Sequence, residues 1–257
     1  MPKGIYTAAS TMYVEAQALD VAARNLAHAT TPGYRKEVAL RGGFAEALQQ
    51  KGHRGDAASD GGTGILSQGS YFDQHQGVLE PTGAPLDVAI TGDAFLRVTD
   101  DKGRNLLTRA GHLTQDANGR LTTPDGWTVQ GQGGAIVIPR GADGITIDPK
   151  GRIIASSSNG GVRTETTIEQ LRLVVVDKPA ALTPVNGQYF DPGEQPTRDA
   201  TAYEVHQGQL EKSNVDPIQE LVSMISIQRR YDAAQKAMRE QTNAGQGFSD
   251  LLRGTTG

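Results

Sequence analysis

Histidine is the residue type in this chain that is best suited to binding a metal, and its spacing argues against a metal site. The closest pair, His53 and His75, lies 22 positions apart. Zinc sites usually include ligand pairs only a few residues apart in sequence. The chain also contains no cysteine, which removes thiolate ligands, disulfide bonds and cysteine nucleophiles together. We therefore expect no bound metal.

Two loops begin like ligand-binding motifs but lack the residues that would complete them. Residues 116–119 (Asp-Ala-Asn-Gly) start like a calcium loop, yet its twelfth position is Trp127 instead of Glu. Residues 131–134 (Gly-Gln-Gly-Gly) are followed by a strand-like run instead of Lys-Ser or Lys-Thr, which excludes a phosphate loop. No Gly-x-Ser-x-Gly elbow occurs. The sequence predicts no enzymatic activity and no cofactor, with a hydrolase of unrecognised site as an alternative.

Composition and charge exclude further classes of protein. The net charge of −4 gives no excess of positive charge with which to bind nucleic acid. Residues 1–6 lack the apolar core of a cleaved signal peptide, and the longest apolar run, residues 173–176, is far shorter than the ~18 residues of a membrane span. We expect a soluble protein that does not span a membrane, and the 32 glycines indicate many turns.

The N-terminal segment predicts a helix with a narrow apolar seam. No Gly or Pro occurs between Ile5 and Leu26, and apolar residues recur with alternating spacings of four and three. This spacing is typical of a coiled coil, and the alanines would let a partner helix approach closely. The pattern ends before Pro32. The residues predicted to form this interface are Ile5, Ala9, Met12, Ala16, Leu19, Ala23 and Leu26.

The C-terminal segment predicts a second helix, whose apolar face is unusually wide. Asp216 can cap its first turn and Pro217 suits its first position, and the helix is expected to run to about Thr242. Its apolar residues cover more than half of the circumference, whereas one neighbour needs only a ~100° stripe. We expect neighbours on two sides. The predicted interface residues are Ile218, Leu221, Val222, Met224, Ile225, Ile227, Tyr231 and Met238.

Between the two helices the sequence predicts an antiparallel β body. Short β-branched runs alternate with Asn-Gly and Asp-Gly pairs, which suit type I′ hairpin turns, and no long helical stretch interrupts them. The predicted fold is mainly β with paired terminal helices in a coiled-coil-like domain. The predicted division is an N-terminal helix in 1–36, an extended Gly-rich connection in 37–80, the antiparallel β domain in 81–206 and the C-terminal helix in 207–257.

Five stretches of sequence resemble motifs of bacterial flagellar rod and hook proteins. Residues 23–34 (ARNLAHATTPGY) resemble the family's N-terminal signature, and residues 85–98 and 108–121 are similar to its central strand motifs. Residues 208–216 (GQLEKSNVD) and the helix segment 224–233 resemble its C-terminal signature. His28, Leu113 and Asp232 depart mildly from the pattern, and the tail 245–257 extends past the end of many relatives. A proximal-rod type is favoured, and a distal-rod type is the near alternative.

The resemblance implies a structural subunit of the basal-body rod, exported unfolded through the flagellar apparatus. It implies helical polymerisation through the terminal helices into a hollow axle that crosses the periplasm, with itself and other axial proteins as partners. The wide apolar face of the C-terminal helix suits such a tube. The alternative is a secreted β-rich binding protein or adhesin with helical oligomerisation ends.

Overall fold

The protein, as a computed structural model, is mainly β with one helix at each end. The structure describes residues 3–43, 65–159, 162–185 and 187–254. Its contacts divide the chain into two compact units. The first comprises Met1–Ala27, Glu37–Tyr71 and Asp216–Gly257, and the second comprises His28–Lys36 and Phe72–Val215. The boundaries predicted from composition therefore stay a prediction, and residues 44–64 of the predicted connection lie outside the described residues.

The first unit contains both long helices and a pair of strands. Helix α1 spans Lys3–Ala27, helix α2 spans Pro217–Gly254, and β1 (Glu37–Gly43) pairs with β2 (Ile65–Phe72). Asp216 caps α2 as expected, since its Oδ1 accepts the backbone N–H of Ile218 at 2.9 Å. The expected end of α2 near Thr242 is wrong, because the helix continues to Gly254. An isolated glycine costs a helix only about 1 kcal/mol, and no proline follows to stop it.

The second unit is built from antiparallel sheets. The strands are β3 (Leu79–Pro81), β4 (Val88–Thr91), β5 (Phe95–Thr99), β6 (Asn105–Thr108), β7 (Thr114–Gln115), β8 (Leu121–Thr122), β9 (Thr128–Val129), β10 (Gly144–Ile147), β11 (Arg152–Asn159), β12 (Val162–Gln170), β13 (Leu173–Val176), β14 (Thr183–Pro184), β15 (Tyr189–Asp191), β16 (Thr197–Asp199), β17 (Glu204–Gln207) and β18 (Gln209–Glu211). The largest sheet has the order β14-β15-β6-β5-β9-β8-β7, and β13 joins it between β5 and β16. The sheet β10-β11-β12 and the pairs β17-β4 and β18-β3 complete the unit.

The core of the second unit lies among these sheets. It is formed by aliphatic side chains that are almost fully buried, such as Ile90, Leu96, Leu121 and Leu171. The strand expected at residues 136–138 is wrong: residues 135 and 137 form only isolated bridges. These residues instead continue from the turn at 131–134, in which the backbone groups of Gly131 and Gly134 form hydrogen bonds with each other. The result is an antiparallel body of many short strands.

Three turns of the second unit share one sequence pattern, Asp-x-x-Gly-Arg. They begin at Asp100, Asp116 and Asp148, and in each the Asp Oδ1 accepts two backbone N–H groups. Only the glycines have positive φ, at 78°, 84° and 75°, and no non-glycine residue does in the described part of the chain. The type I′ turn predicted for the Asn118-Gly119 pair is therefore wrong. A type I turn followed by a left-handed glycine needs positive φ at one residue only.

Candidate assembly surfaces

The two helices of the first unit contact each other along one face of each. Ala18 and Ala22 of α1 are buried in a cluster with Ile227 of α2. Asn25 Nδ2 donates to Glu220 Oε1 at 3.0 Å, and Arg230 Nε donates to Glu15 Oε1 at 2.9 Å. Because these contacts join residues of decreasing number in α1 to residues of increasing number in α2, the helices are antiparallel.

A buried carboxylate lies in the middle of this contact face. Glu15 is only 3% exposed, and it accepts hydrogen bonds from Arg230 Nη2 at 3.2 Å and from Arg41 Nη1 at 3.3 Å. Its two guanidinium partners are half-exposed, so the group keeps contact with solvent through them. A buried charge is tolerated when it is paired in this way, and it fixes the alignment of the surfaces that supply its partners.

The residues predicted as the seam of α1 do not form the centre of this contact face. Ala9 and Ala23 are exposed, and the other members, Ile5, Met12, Ala16, Leu19 and Leu26, are half-buried. Leu19 is the member that packs against the buried cluster of Ala18, Ala22 and Ile227. Ala9 lies nine residues before Ala18, which places it about 180° around the helix at ~100° per residue. We call the seven predicted residues the α1 strip.

The wide apolar face of α2 divides into two parts. Ile227 is 3% exposed and faces α1, with Met224, Tyr231 and Met238 half-buried beside it. The other four predicted residues, which we call the α2 patch, are exposed. Their exposed fractions are 74% for Ile218, 48% for Leu221, 59% for Val222 and 54% for Ile225. Ile218 and Ile227 are nine residues apart and thus on opposite sides of the helix. One side of the face has its neighbour within the chain, and the other has none in the described residues.

Asn25 of the first signature motif is a buried hydrogen-bonding centre. It is 0% exposed; its Nδ2 donates to the carbonyl of Glu37 and its Oδ1 accepts the Glu37 N–H, both at 2.8 Å. The Glu37 carboxylate in turn accepts bonds from Arg24 Nη2 at 2.9 Å and Ser70 Oγ at 2.6 Å. The motif thereby joins α1 to β1 and, through Glu220, to α2. No shorter or apolar residue could form this set of bonds.

The second unit contains a buried charge cluster, two members of which come from the signature motifs 108–121 and 208–216. Arg35 and Glu211 are both fully buried and pair at 2.5 Å, and Arg109 Nη1 lies 3.5 Å from the second Glu211 oxygen. Arg109 also donates to the carbonyls of Ile90 and Gly92. Burial lowers the pKa of Arg109 to about 10, against the opposing effect of Glu211. Glu211 is the buried anion that the two guanidinium groups share, and Asp93 also acts on the charge of Arg109.

The side chain of Asn214, in the motif 208–216, bonds the backbone of neighbouring segments. Asn214 Oδ1 accepts the N–H of Lys36 at 2.6 Å, and its Nδ2 donates to the carbonyls of Asp73 and His75. Gly33 has φ 70°, and a Cβ there would lie 2.4 Å from the backbone of Ala110. The segment that follows α1 and the segment that precedes α2 are therefore fastened together inside the second unit.

Glu15, Asn25, Arg35 and Glu211 are the structural residues that sequence reasoning did not single out. A signal for two of them was present: Glu15 and Asn25 interrupt the Ala8, Ala18, Ala22 face of α1 with polar groups. A polar residue on an apolar helix face needs a partner, which predicts a contact without naming it. Nothing in the spacing of Arg35 and Glu211, 176 positions apart, indicates that they meet.

The histidines of the described residues lie in small contacts, and His206 Nε2 lies 3.0 Å from the hydroxyl of Thr91. No group of three His, Asp or Glu side chains there could hold a metal ion. His112 pairs with Asp87 at 2.7 Å, and Thr82 donates to the same carboxylate at 2.6 Å. The Thr82 hydroxyl thus bonds the carboxylate and not the imidazole, so His112 does not activate it as a nucleophile. Among the described helices none is long and apolar enough to cross a membrane.

The fold and its surfaces define a structural protein with helical ends and a β body. Residues 89–155 match the family described as the flagellar hook protein FlgE/F/G D1 domain, and residues 206–243 match the flagellar basal body rod FlgEFG protein C-terminal family. The chain is 32% identical to FlgF of Escherichia coli, over 95% of this chain and 96% of that protein. It is 32% identical to FlgF of Salmonella typhimurium over 93% of both chains. It is 29% identical to FlgG of Agrobacterium fabrum over 92% of this chain and 94% of that protein.

These similarities cover both helices and the β body. The chain belongs to the family of flagellar basal-body rod proteins. It is accordingly a structural subunit of the rod in the flagellar basal body, and not an enzyme.

Proposed function

We propose that this subunit polymerises helically, through its two terminal helices, into the hollow axle of the rod. The observation that carries the proposal is the α2 patch, four large aliphatic side chains exposed on the helix side opposite α1. Exposed aliphatic side chains clustered on one face are typical of a protein interface. A contact that joins different surfaces of identical subunits does not close on itself and extends into a filament.

In this proposal α1 and α2 form a coiled-coil-like inner domain and the β body forms the outer layer. The contact face supports it: Ala8, Glu15 and Ala22 recur every seven residues in α1, as Glu220, Ile227 and Ala234 do in α2. All six are buried in the single chain. The predicted interface residues of the α1 strip and of α2 remain a proposal as contacts between subunits.

The partners in this proposal are further copies of the chain and other axial proteins of the rod and hook. The subunit reaches the periplasm through the flagellar export apparatus, and the assembled tube transmits torque and serves as an export channel. Its relatives include basal-body rod proteins named FlgF and FlgG, and its position in the rod, proximal or distal, is a further part of the proposal. Of the two positions we retain the proximal one as the proposal.

Imaging of purified basal bodies tests this function. A subunit that carries a labelled tag in an exposed turn of the β body, such as the one at Asp101, should appear as density on the outside of the rod at helically repeated positions. Rods from a strain with the untagged subunit are the control. Density at a single level without helical repeat, or none on the rod, would contradict polymerisation of this chain.

A further inference from the structure

A cleft in the second unit lies against the chain segment that connects β15 to β16. In the sheet, β6, β5 and β13 lie between these two strands, so residues 192–196 pass over them. The cleft has a volume of about 390 Å³, and we call it the β15–β16 cleft. Strands β5 and β6 supply one side of it and the connecting segment supplies the other. Its lining includes Arg97, Arg104, Asn105, Leu107, Asp191 and Pro192.

Arg97 is a half-buried cation of this cleft that has no anion of its own. Among the described residues its guanidinium forms no hydrogen bond and no ion pair. Its backbone neighbour Arg172 has an anion, since Arg172 Nε lies 3.4 Å from Asp199 Oδ1. Burial and then the charge of Arg172 lower the pKa of Arg97, against the opposing effect of Asp199. A cation in these surroundings is stabilised when an anion from outside the chain reaches it.

The other polar side chains of the cleft add mainly hydrogen-bond donors. Asn105 Oδ1 accepts a threonine hydroxyl at 3.3 Å, and its Nδ2 forms no bond within the described residues. Arg104 donates through Nε to a turn carboxylate at 2.8 Å and keeps its terminal nitrogens for other partners. Asp191 carries the one carboxylate among the described lining residues, and it already accepts the Gly193 N–H at 2.8 Å. Donors therefore exceed free acceptors, which favours an anionic oxygen ligand.

The size and lining of the cleft narrow the class of ligand. Its volume of about 390 Å³ is larger than a single ion needs and lies in the range of small-molecule sites, ~300–1,000 Å³. Open space lies where a Cβ would stand at Gly103 and Gly193. Leu107 and Pro192 supply apolar contact for a short carbon chain. A guanidinium pairs best with a planar group of two oxygens, so the chemistry favours a short aliphatic carboxylate.

We propose that the β15–β16 cleft binds a short aliphatic carboxylate, with Arg97 as the residue that pairs with its two oxygens. The carboxylate is either that of a free organic acid or the side chain of an acidic peptide, which present the same group to the cleft. The site lies wholly within the second unit. It is a binding function beyond the structural role proposed above, and it does not depend on polymerisation through the helices.

Titration of the full chain with two probes, followed by amide nuclear magnetic resonance, tests this site. The probes are propionate and a blocked Gly-Glu-Gly peptide, with Gly-Gln-Gly as the uncharged control. We expect the resonances of Gly103, Gly193 and the Arg97 Nε–H to shift. Arg97→Gln should weaken binding by about tenfold or more, because a charge-assisted hydrogen-bonded pair is lost. Arg163→Gln removes the same charge from an exposed position on β12 and should bind like the parent.

A second variant tests the site without removing Arg97. Asn105→Asp places a carboxylate in the lining of the cleft, where it competes for the guanidinium, and should also weaken binding of the probe that the parent binds. Binding of the peptide alone would identify an acidic peptide as the ligand, and binding of both probes would show that a free acid suffices. The proposal is overturned if neither probe binds, if the shifts lie outside the cleft, or if Arg97→Gln binds as tightly as Arg163→Gln.

Discussion

Asn25 shows how a single signature residue can hold several segments together. It satisfies both the N–H and the C=O of Glu37 and also bonds Glu220, all away from solvent. Asn25→Ala should lower the free energy of unfolding of the first unit by about 1–3 kcal/mol, because buried polar groups lose their partners. Urea denaturation followed by helical circular dichroism measures this loss. The exposed Gln219→Ala on α2 is the control and should change stability by less than ~0.5 kcal/mol.

The charge cluster of the second unit makes a second prediction at the residue scale. Glu211→Leu leaves Arg35 and Arg109 buried without their shared anion and should destabilise by about 3–5 kcal/mol. Arg35→Met leaves the Arg109–Glu211 pair in place, and Asn214 still donates to the His75 carbonyl. The loss of stability should therefore be smaller than in Glu211→Leu. Thermal unfolding of the two variants compares them. Equal losses would show that the charge balance of the cluster is unimportant.

At the scale of elements, the Asp-x-x-Gly-Arg turns link stability to pH. Burial alone would raise the pKa of Asp148, but hydrogen bonds from Arg152 and Lys150 outweigh it and hold that pKa below 3.8. A carboxyl with a lowered folded pKa contributes stability above its unfolded value of 3.8, and this contribution is lost as the pH falls through the lower folded value. Asp148→Asn should reduce the free energy of unfolding at pH 7. It should also make the fall of that free energy below pH ~4 less steep. Urea titrations of both proteins at a series of pH values provide the measurement, and parallel curves would contradict the linkage.

The same elements show where sequence reasoning succeeds. Heptad spacing predicted α1, and Asp216-Pro217 with the helical periodicity of the apolar residues predicted α2 and its start, because caps and periodicity are local properties. The excess width of the α2 face was also visible in the sequence, and the structure covers one side of it. The predicted turn type was wrong because an Asn-Gly pair is compatible with several turn types, and the neighbouring strands decide which one forms. The pairing of Arg35 with Glu211 could not be predicted, since their separation of 176 positions carries no periodic signal.

At the scale of the whole molecule, the family signature and the physical surfaces agree on a structural role. Motifs 23–34 and 208–216 are widely separated in sequence, yet Gly33 donates its N–H to the carbonyl of Glu211 at 2.7 Å. The segment that follows α1 and the segment that precedes α2 therefore meet within the second unit. On the side of α2 that faces away from α1, four large aliphatic side chains are exposed.

The central claim is that the α2 patch is a surface for assembly and not part of the folded core of the chain. Of the residues predicted at the interface, Leu19 is less suited to test it, because it also packs against Ala18 and Ile227. Ile225 is 54% exposed, so Ile225→Asp should leave the melting temperature of the free subunit within about 2 °C of the parent while it buries an unpaired charge in the assembled rod. Ser226→Asp adds the same charge at the neighbouring exposed position and is the matched control.

The most direct measurement is the amount of each variant incorporated into purified basal bodies, with motility and the melting temperature of the free subunit recorded beside it. We predict that Ile225→Asp is nearly absent from rods and abolishes motility, because the cost of several kcal/mol recurs at every subunit. Ser226→Asp should incorporate and support motility like the parent. Normal incorporation of Ile225→Asp would contradict the claim that the α2 patch is an assembly surface, and so would a marked loss of stability in the free Ile225→Asp subunit.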